Sequence, residues 1–293
     1  MKICYGILNN SIDVTDICLS QLTKNNVITI PWGDTLRANY FTDPLYGVLK
    51  KIIISNVEYD DLTQLKINLK DNTITSINAN DINKKLANIH SKLTLNFGNF
   101  REELPEQKMV VRYLTGNEKV LEIGGNIGRN SLIIASILEN SNNLVTLECD
   151  SNIAKQLIHN RDVNGFKFHV ENSALSKRKL IQKDWDTKPS ETLLDGYNWI
   201  NTITLNDLKT KYNIIFDTLV LDCEGAFYYI LMDMPEILDN INLIIMENDY
   251  NDISQKKYID EILKSNNFSV DYVESGGWGP CHNNFFEVWK TNK

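Results

Sequence analysis

Apolar residues fall in short runs broken by turn-forming residues up to about residue 78, then recur with alternating strand and helix spacing from residue 119 onward. The segments Lys2–Leu8, Val27–Ile30, Leu49–Ser55, Leu65–Leu69 and Thr73–Ile77 predict strands. Asn9-Asn10, Pro31-Trp32-Gly33-Asp34, Asp43-Pro44 and Asp71-Asn72 separate them as turns. Leu65 to Lys70 alternates apolar and polar residues, the pattern of a half-buried strand, and Asp71-Asn72 would turn it into the next one without the usual glycine. Residues 1–80 therefore predict a small β-rich domain. Residues 81–117 predict a helical lead-in, with helices over Asp81–His90 and Glu106–Leu114 and Pro105 near the first turn of the second.

Beyond it the pattern predicts strands at Lys119–Gly124, Asn143–Cys149, Phe166–Val170, Thr218–Asp222 and Leu243–Glu247. Helices are predicted at Ile127–Glu139, Asn152–Arg161, from Ala226 to Leu231 at least, and at Ile253–Asn266. Such alternation implies a parallel sheet with both faces covered. The last two strands, Phe268–Glu274 and Phe285–Lys290, have only the loop Ser275–Asn284 between them and should pair antiparallel. Residues 81–293 thus predict an α/β domain ending in an antiparallel hairpin.

A net charge of −8 argues against a duplex nucleic acid partner, because no broad positive field is available to neutralise phosphates. The five cysteines are scattered without a CxxC pair, so neither a zinc knuckle nor a redox pair is indicated, and free thiols fit a reducing compartment. The apolar run Ile3–Leu8 is too short for a signal peptide, and no run approaches a membrane span, so a cytoplasmic protein is expected. The 37 Asn and 34 Ile against 6 Pro point to an AT-rich genome rather than to a mechanism.

The chemistry concentrates at predicted strand ends. Glu122-Ile123-Gly124-Gly125-Asn126-Ile127-Gly128-Arg129-Asn130 follows the first strand and opens a helix, whose N-terminus offers free N–H groups. The glycine spacing breaks the dinucleotide fingerprint, which disfavours a nicotinamide-dependent dehydrogenase, and an acidic residue there would repel a pyrophosphate but suit an amino group. Glu148, ending the second strand twenty-four residues after Gly124, is placed to bond ribose hydroxyls. Asp222-Cys223-Glu224-Gly225 and Glu247-Asn248-Asp249 bring further carboxylates to the same sheet edge, where the alternative for Asp222 and Glu224 is capping the next helix.

The Glu122–Gly128 turn, Glu148, Glu171-Asn172-Ser173-Ala174-Leu175-Ser176, Thr204-Leu205, Asp222-Cys223-Glu224-Gly225 and Ile245-Met246-Glu247, in that order, resemble the FkbM-type S-adenosylmethionine-dependent methyltransferases over roughly residues 100–290. The resemblance implies a class I methyltransferase fold, a Rossmann-like seven-stranded sheet with an antiparallel final hairpin, and O-methylation of a sugar, glycan or similar small-molecule hydroxyl. It implies a cofactor site of Glu122, Gly124, Gly125, Asn126, Gly128 and Asn130 around the methionine moiety. Glu148 and Cys149 would lie at the ribose and Asn172, Ser173 and Ala174 at the adenine. The family more often has Asp where this chain has Glu122. Through Tyr5-Gly6, Ile12-Asp13-Val14-Thr15 and Asp43-Pro44-Leu45-Tyr46-Gly47-Val48-Leu49-Lys50, residues 1–80 resemble a small β-rich module found beside such enzymes, and the composition suggests a giant DNA virus, which would place the protein in host cytoplasm or virion.

A sugar hydroxyl needs a base within hydrogen-bond reach as its methyl arrives. The candidates, in order, are Asp222, Glu247, Asp249 and His282. Glu106 at the start of its helix would close over the cofactor or simply favour the helix dipole. Trp278 and Trp185 would stack on a sugar ring or pack in the core. Asp222 and Glu247 could share a divalent cation, but no dedicated ligand cluster indicates one. Two rival functions are a glycan- or partner-binding protein on a degenerate scaffold, and an RNA methyltransferase. The intact motifs oppose the first, and the charge and the single short basic cluster Lys177-Arg178-Lys179 oppose the second. Edge pairing of the N-terminal domain would allow a homo-oligomer.

Overall fold

A computed structural model describes residues 1–184 and 186–291, and the chain divides into two compact units, Met1–Lys85 and Leu86–Lys293. Among the described residues no helix is long and apolar enough to cross a membrane.

The first unit holds two antiparallel four-stranded sheets. One runs in the order Asn10–Asp13, Ile3–Ile7, Lys51–Ile54, Val57–Tyr59, and the other Thr23–Lys24, Val27–Ile30, Thr63–Asn68, Ile74–Asn78. Their inward positions, including Ile3, Tyr5, Ile28, Ile30, Ile52, Ile54, Leu65 and Ile67, share one apolar cluster with Cys18 and Phe41. Those last two come from helices at Thr15–Gln21 and Asp34–Phe41, which the apolar pattern does not announce. At the predicted Asp71-Asn72 turn, Asn72 adopts φ 57° in place of a glycine, and the Asp71 carboxylate accepts from the Thr73 N–H at 3.0 Å. Arg37 is completely buried yet satisfied: Nε donates to the Pro31 carbonyl at 2.8 Å, Nη1 to that of Asp60 at 2.8 Å, and Nη2 to that of Thr63.

The second unit is built on a seven-stranded sheet. Its strands are β1 (Val120–Ile123), β2 (Leu144–Leu147), β3 (His169–Glu171), β4 (Thr218–Leu221), β5 (Leu243–Glu247), β6 (Phe268–Glu274) and β7 (Phe286–Thr291). The order is β3-β2-β1-β4-β5-β7-β6, with β1 to β5 parallel and β7 antiparallel to both neighbours. This is the Rossmann-like sheet with antiparallel final hairpin that the sequence predicts. Every residue of β1, β2 and β4 is buried, which is why these strands read as unbroken apolar runs rather than alternating ones. The flanking helices used below are α1 (Leu104–Tyr113), α2 (Arg129–Ile137), α3 (Ser151–Val163), α4 (Leu205–Tyr212), α5 (Ala226–Asp233) and α6 (Ile253–Ser265).

Between β3 and α4 lies an excursion that the apolar pattern does not predict: a three-stranded antiparallel sheet with Leu180–Lys183 at its centre, between Asp186–Pro189 and Asn198–Ile200, beside the short pair Ala174–Leu175 and Thr202–Ile203. Its outer strands are mostly exposed and only three or four residues long, so they carry no alternation to read. Trp185 lies outside the described residues.

Glu122, expected at the cofactor, sits instead in the interior, 2 % exposed, on the side of the sheet covered by α2. Its carboxylate accepts from the Ser131 hydroxyl, and burial raises its pKa from 4.5 to about 7.

Two outcomes follow for stability. Arg37→Leu leaves the Pro31, Asp60 and Thr63 carbonyls without their donor and should destabilise the first unit by about 3 kcal/mol, read from its urea unfolding midpoint. Because the folded state holds the Glu122 proton more tightly than the unfolded chain, its favourable contribution is complete below about pH 4.5 and is lost as pH rises through about 7. Glu122→Gln removes that loss, so its stabilising effect should be roughly 2 kcal/mol larger at pH 8 than at pH 5 in denaturant melts. An equal effect at both pH values would contradict this.

Candidate active site

The carboxyl ends of the parallel strands open into a cleft of about 730 Å³, within the range that encloses a drug-sized ligand. Its floor is the turn after β1. Gly124 takes φ +91°, and a Cβ there would overlap the Asp222 carbonyl, so only glycine fits. The Gly124 and Gly125 N–H groups donate to the Leu147 carbonyl at 3.1 and 2.9 Å, while Asp222 N–H donates to the Ile123 carbonyl at 3.0 Å. The ends of β2, β1 and β4 are thereby drawn together.

Glu148 fastens the same turn. One carboxylate oxygen accepts from Asn126 N–H at 2.9 Å and the other from Asp150 N–H at 2.8 Å, while burial still raises its pKa. Glu103, just before α1, accepts from Arg129 Nη1 at 2.7 Å and from Asn126 Nδ2 at 3.2 Å, and Arg129 also pairs with Glu102. The sequence does not disclose the Glu103–Arg129 pair, because its partners lie twenty-six residues apart in different elements. Cys149 Sγ accepts from Gln182 Nε2 at 3.4 Å, and burial pushes the thiol up to about 11.

Of the residues expected at a site, Gly124, Asn126, Glu148, Cys149, Ser173, Ala174, Glu106, Asp222, Glu247 and Asp249 line this one cleft. Six do not. Glu122 is turned into the sheet's helix-covered side, while Gly125 packs against Thr146 and Leu157. Gly128 and Asn130 belong to the start of α2, where Gly128 supplies φ +93° and Asn130 is buried. Asn172 braces rather than lines: its Nδ2 donates to the Glu148 carbonyl at 2.8 Å and to that of Cys149 at 3.2 Å. His282 is exposed in a 3-10 turn, Gly279–Asn284, and Trp278 is exposed at the residue before it.

Neither Asp222 nor Glu224 caps α5. Gly225 starts that helix at φ 77°, and its N–H is taken by the Asp249 carboxylate at 2.8 Å. Burial and the neighbouring Glu224 raise the pKa of Asp249 to about 7. Glu106, Asp222 and Glu247 converge from α1, β4 and β5, with one carboxyl oxygen of each within 4.8 Å of the others. Burial raises all three pKa values; for Asp222 the next cause is Glu103, and for Glu247 it is Asp222.

The outer wall comes from segments without a motif. Arg178 forms a two-pronged pair with Asp233 at 2.6 and 2.8 Å and lies 5.0 Å from the centre of the Tyr229 ring. Gln182 and Thr187 of the three-stranded sheet, with Asn251 and Gln255 around the start of α6, complete it. The short basic cluster is spoken for: Lys177 contacts Glu236 at 3.5 Å and Lys179 contacts Glu191 at 3.7 Å.

No protein-family model matches the chain, and no curated protein matches it. Solved structures similar to it include the O-methyltransferase TomG from Streptomyces achromogenes in complex with S-adenosylmethionine, at 15 % identity, covering 73 % of this chain and 90 % of that one, TM-score 0.43. An O-methyltransferase from Bacillus cereus in complex with S-adenosylhomocysteine is 15 % identical over 72 % of this chain and 91 % of that one, TM-score 0.43. The ribosomal protein L11 methylase from Lactobacillus delbrueckii subsp. bulgaricus is 14 % identical over 67 % of this chain and 81 % of that one, TM-score 0.41.

Proposed function

We propose that this chain is an FkbM-type S-adenosylmethionine-dependent O-methyltransferase acting on a hydroxyl of a sugar or similar polar small molecule. The observation that carries the reading is the convergence, in one cleft, of the Gly124–Asn126 turn and Glu148 with the carboxylates Asp222 and Glu247. The donor set fits the cofactor. Each Glu148 oxygen already accepts one N–H but keeps a further lone pair, so the carboxylate can take ribose hydroxyls as well. Ser173 and Ala174, beside Cys149, provide the wall for a base, and Glu103 and the glycine turn face the methionine end.

When bound, S-adenosylmethionine supplies a methyl group on a sulfonium sulfur; its C–S bond breaks, with the electron pair left on sulfur, as the C–O bond forms. The protein aligns the acceptor oxygen in line with that bond, which converts an encounter into a positioned displacement. Asp222, at the end of the central strand, takes the hydroxyl proton as the oxygen is alkylated. Gln182, Asn251 and Gln255 offer planar hydrogen-bonding groups, and the Tyr229 ring a flat apolar face, the combination that suits a polyhydroxylated ring. The RNA reading is weaker because Lys177, Arg178 and Lys179 are all paired with acids.

The test is transfer of labelled methyl from S-adenosylmethionine to a panel of free and nucleotide-linked sugars. At least one sugar should be methylated, and Asp222→Asn should lower kcat by about 10²–10⁴ with little change in KM for the cofactor. Full activity in Asp222→Asn would contradict its role, and methylation of RNA but of no sugar would overturn the acceptor class.

A further inference from the structure

Ten acidic side chains line the cleft against a single basic one, Arg178, among the described residues. Arg178 spends its charge on Asp233 in their two-pronged pair. Three of the acids meet at the bottom of the acceptor half. Asp222 follows β4, Glu247 ends the adjacent parallel β5, and Glu106 reaches them from the first turn of α1. Glu106 is only 6 % exposed, and its Oε2, shut off from solvent, has no hydrogen-bond partner among the described residues. The Glu106 and Glu247 carboxyls face each other at hydrogen-bonding range, where two ionised acceptors need a donor between them. Other carboxylates of the cleft are already engaged: Asp249 holds Gly225 N–H, Asp252 holds Ser254 N–H, and Glu103 holds Arg129.

The group that completes this cluster is a positively charged donor without acceptor atoms. A primary ammonium is such a group, with three N–H donors on one centre. Three oxygens held at about 2.8 Å from its nitrogen in tetrahedral directions lie about 4.6 Å apart. Here one oxygen of each residue lies within 4.8 Å of the others. We propose that Glu106, Asp222 and Glu247 hold a protonated primary amine of the acceptor, which is therefore an amino sugar or similar amino alcohol with the amine on the carbon next to the methylated hydroxyl. This rests on the methyl-transfer reading and narrows it. The neighbouring hydroxyl then faces the second oxygen of Asp222, which takes its proton. A positive charge at this point also draws Asp222 toward the ionised form that burial and its acidic neighbours oppose. The carboxylates keep the amine protonated and without a lone pair, so the methyl group goes to oxygen. The C–O bond forms as the C–S bond breaks, and the nitrogen is left unaltered. The same surplus of acids repels a phosphate-bearing sugar.

The test is calorimetric titration of glucosamine, galactosamine and kanosamine into the full chain, each beside its N-acetyl derivative. Titrations are run with and without S-adenosylhomocysteine, and always with EDTA so that no stray metal ion carries the contact. At least one free amine should bind about tenfold or more tighter than its N-acetyl form, which lacks the charge. Glu106→Gln and Glu247→Gln should each abolish that preference, with Glu139→Gln, remote from the cleft, unchanged. Circular dichroism checks that each variant is folded; should one fail, Asp222→Asn takes its place. Labelled methyl transfer to the same sugars, read by NMR, should put the methyl on the oxygen beside the amine. No binding of any of the amines, equal binding of free and acetylated forms, a preference that the folded variants retain, or methyl found on nitrogen overturns the inference. Transfer to neutral sugars alone also overturns it, while leaving the methyl-transfer reading intact. Failure of S-adenosylhomocysteine to bind while an amine still does removes that reading and leaves the ammonium site standing.

Discussion

The cleft depends on how closely the ends of β1 and β4 approach each other. At Gly124 the backbone lies against the Asp222 carbonyl, and any side chain would push the two strand ends apart. Backbone bonds hold the contact, from Asp222 N–H to the Ile123 carbonyl and from Gly124 and Gly125 N–H to that of Leu147. The glycine turn, Glu148 and Asp222 therefore occupy one floor rather than three separate loops. Open α/β sheets place ligands at the carboxyl ends of their strands where the strand order reverses, and the junction of β1 with β4 is that reversal here.

The same edge gathers acids, and their burial has to be offset. Backbone N–H groups do this for Glu148 and Asp249, and a guanidinium does it for Glu103. Glu106, Asp222 and Glu247 instead meet one another, and the charged neighbours that act on them are acidic. A cleft with this imbalance is electrostatically prepared for a positively charged guest, because the gain on binding is larger in a low-dielectric site than in water.

Much of this architecture is legible in the amino-acid sequence. Strands buried on both faces, such as β1 and β4, announce themselves as apolar runs, and β5 and β6 fall where the pattern puts them, Leu243–Glu247 and Phe268–Glu274. The strand-end acids Glu148, Asp222, Glu247 and Asp249 stand out because each closes such a run. Glu122 departs from its expected place because a local motif cannot tell which face of a strand a residue takes, and here that face is closed by α2 and Ser131. His282 follows the sheet in a loop, which makes it a candidate by position, but backbone placement in the 3-10 turn leaves it exposed. The small sheet around Leu180–Lys183 and the Arg178–Asp233 pair depend on contacts between distant segments and leave no periodic trace. The same holds for Glu106 beside Asp222 and Glu247, a convergence of three elements that spacing alone does not encode.

The claim on which all of this turns is that the cleft holds the cofactor through Glu148 and the glycine turn. Calorimetric titration of S-adenosylhomocysteine into the intact chain, with NAD as the comparison, tests it directly. Micromolar binding of S-adenosylhomocysteine, none of NAD, and a loss of about tenfold or more in a folded Glu148→Ala variant are the expected results. A folded chain that does not bind S-adenosylhomocysteine, or a Glu148→Ala variant that binds it as well as the unaltered protein, would contradict the claim.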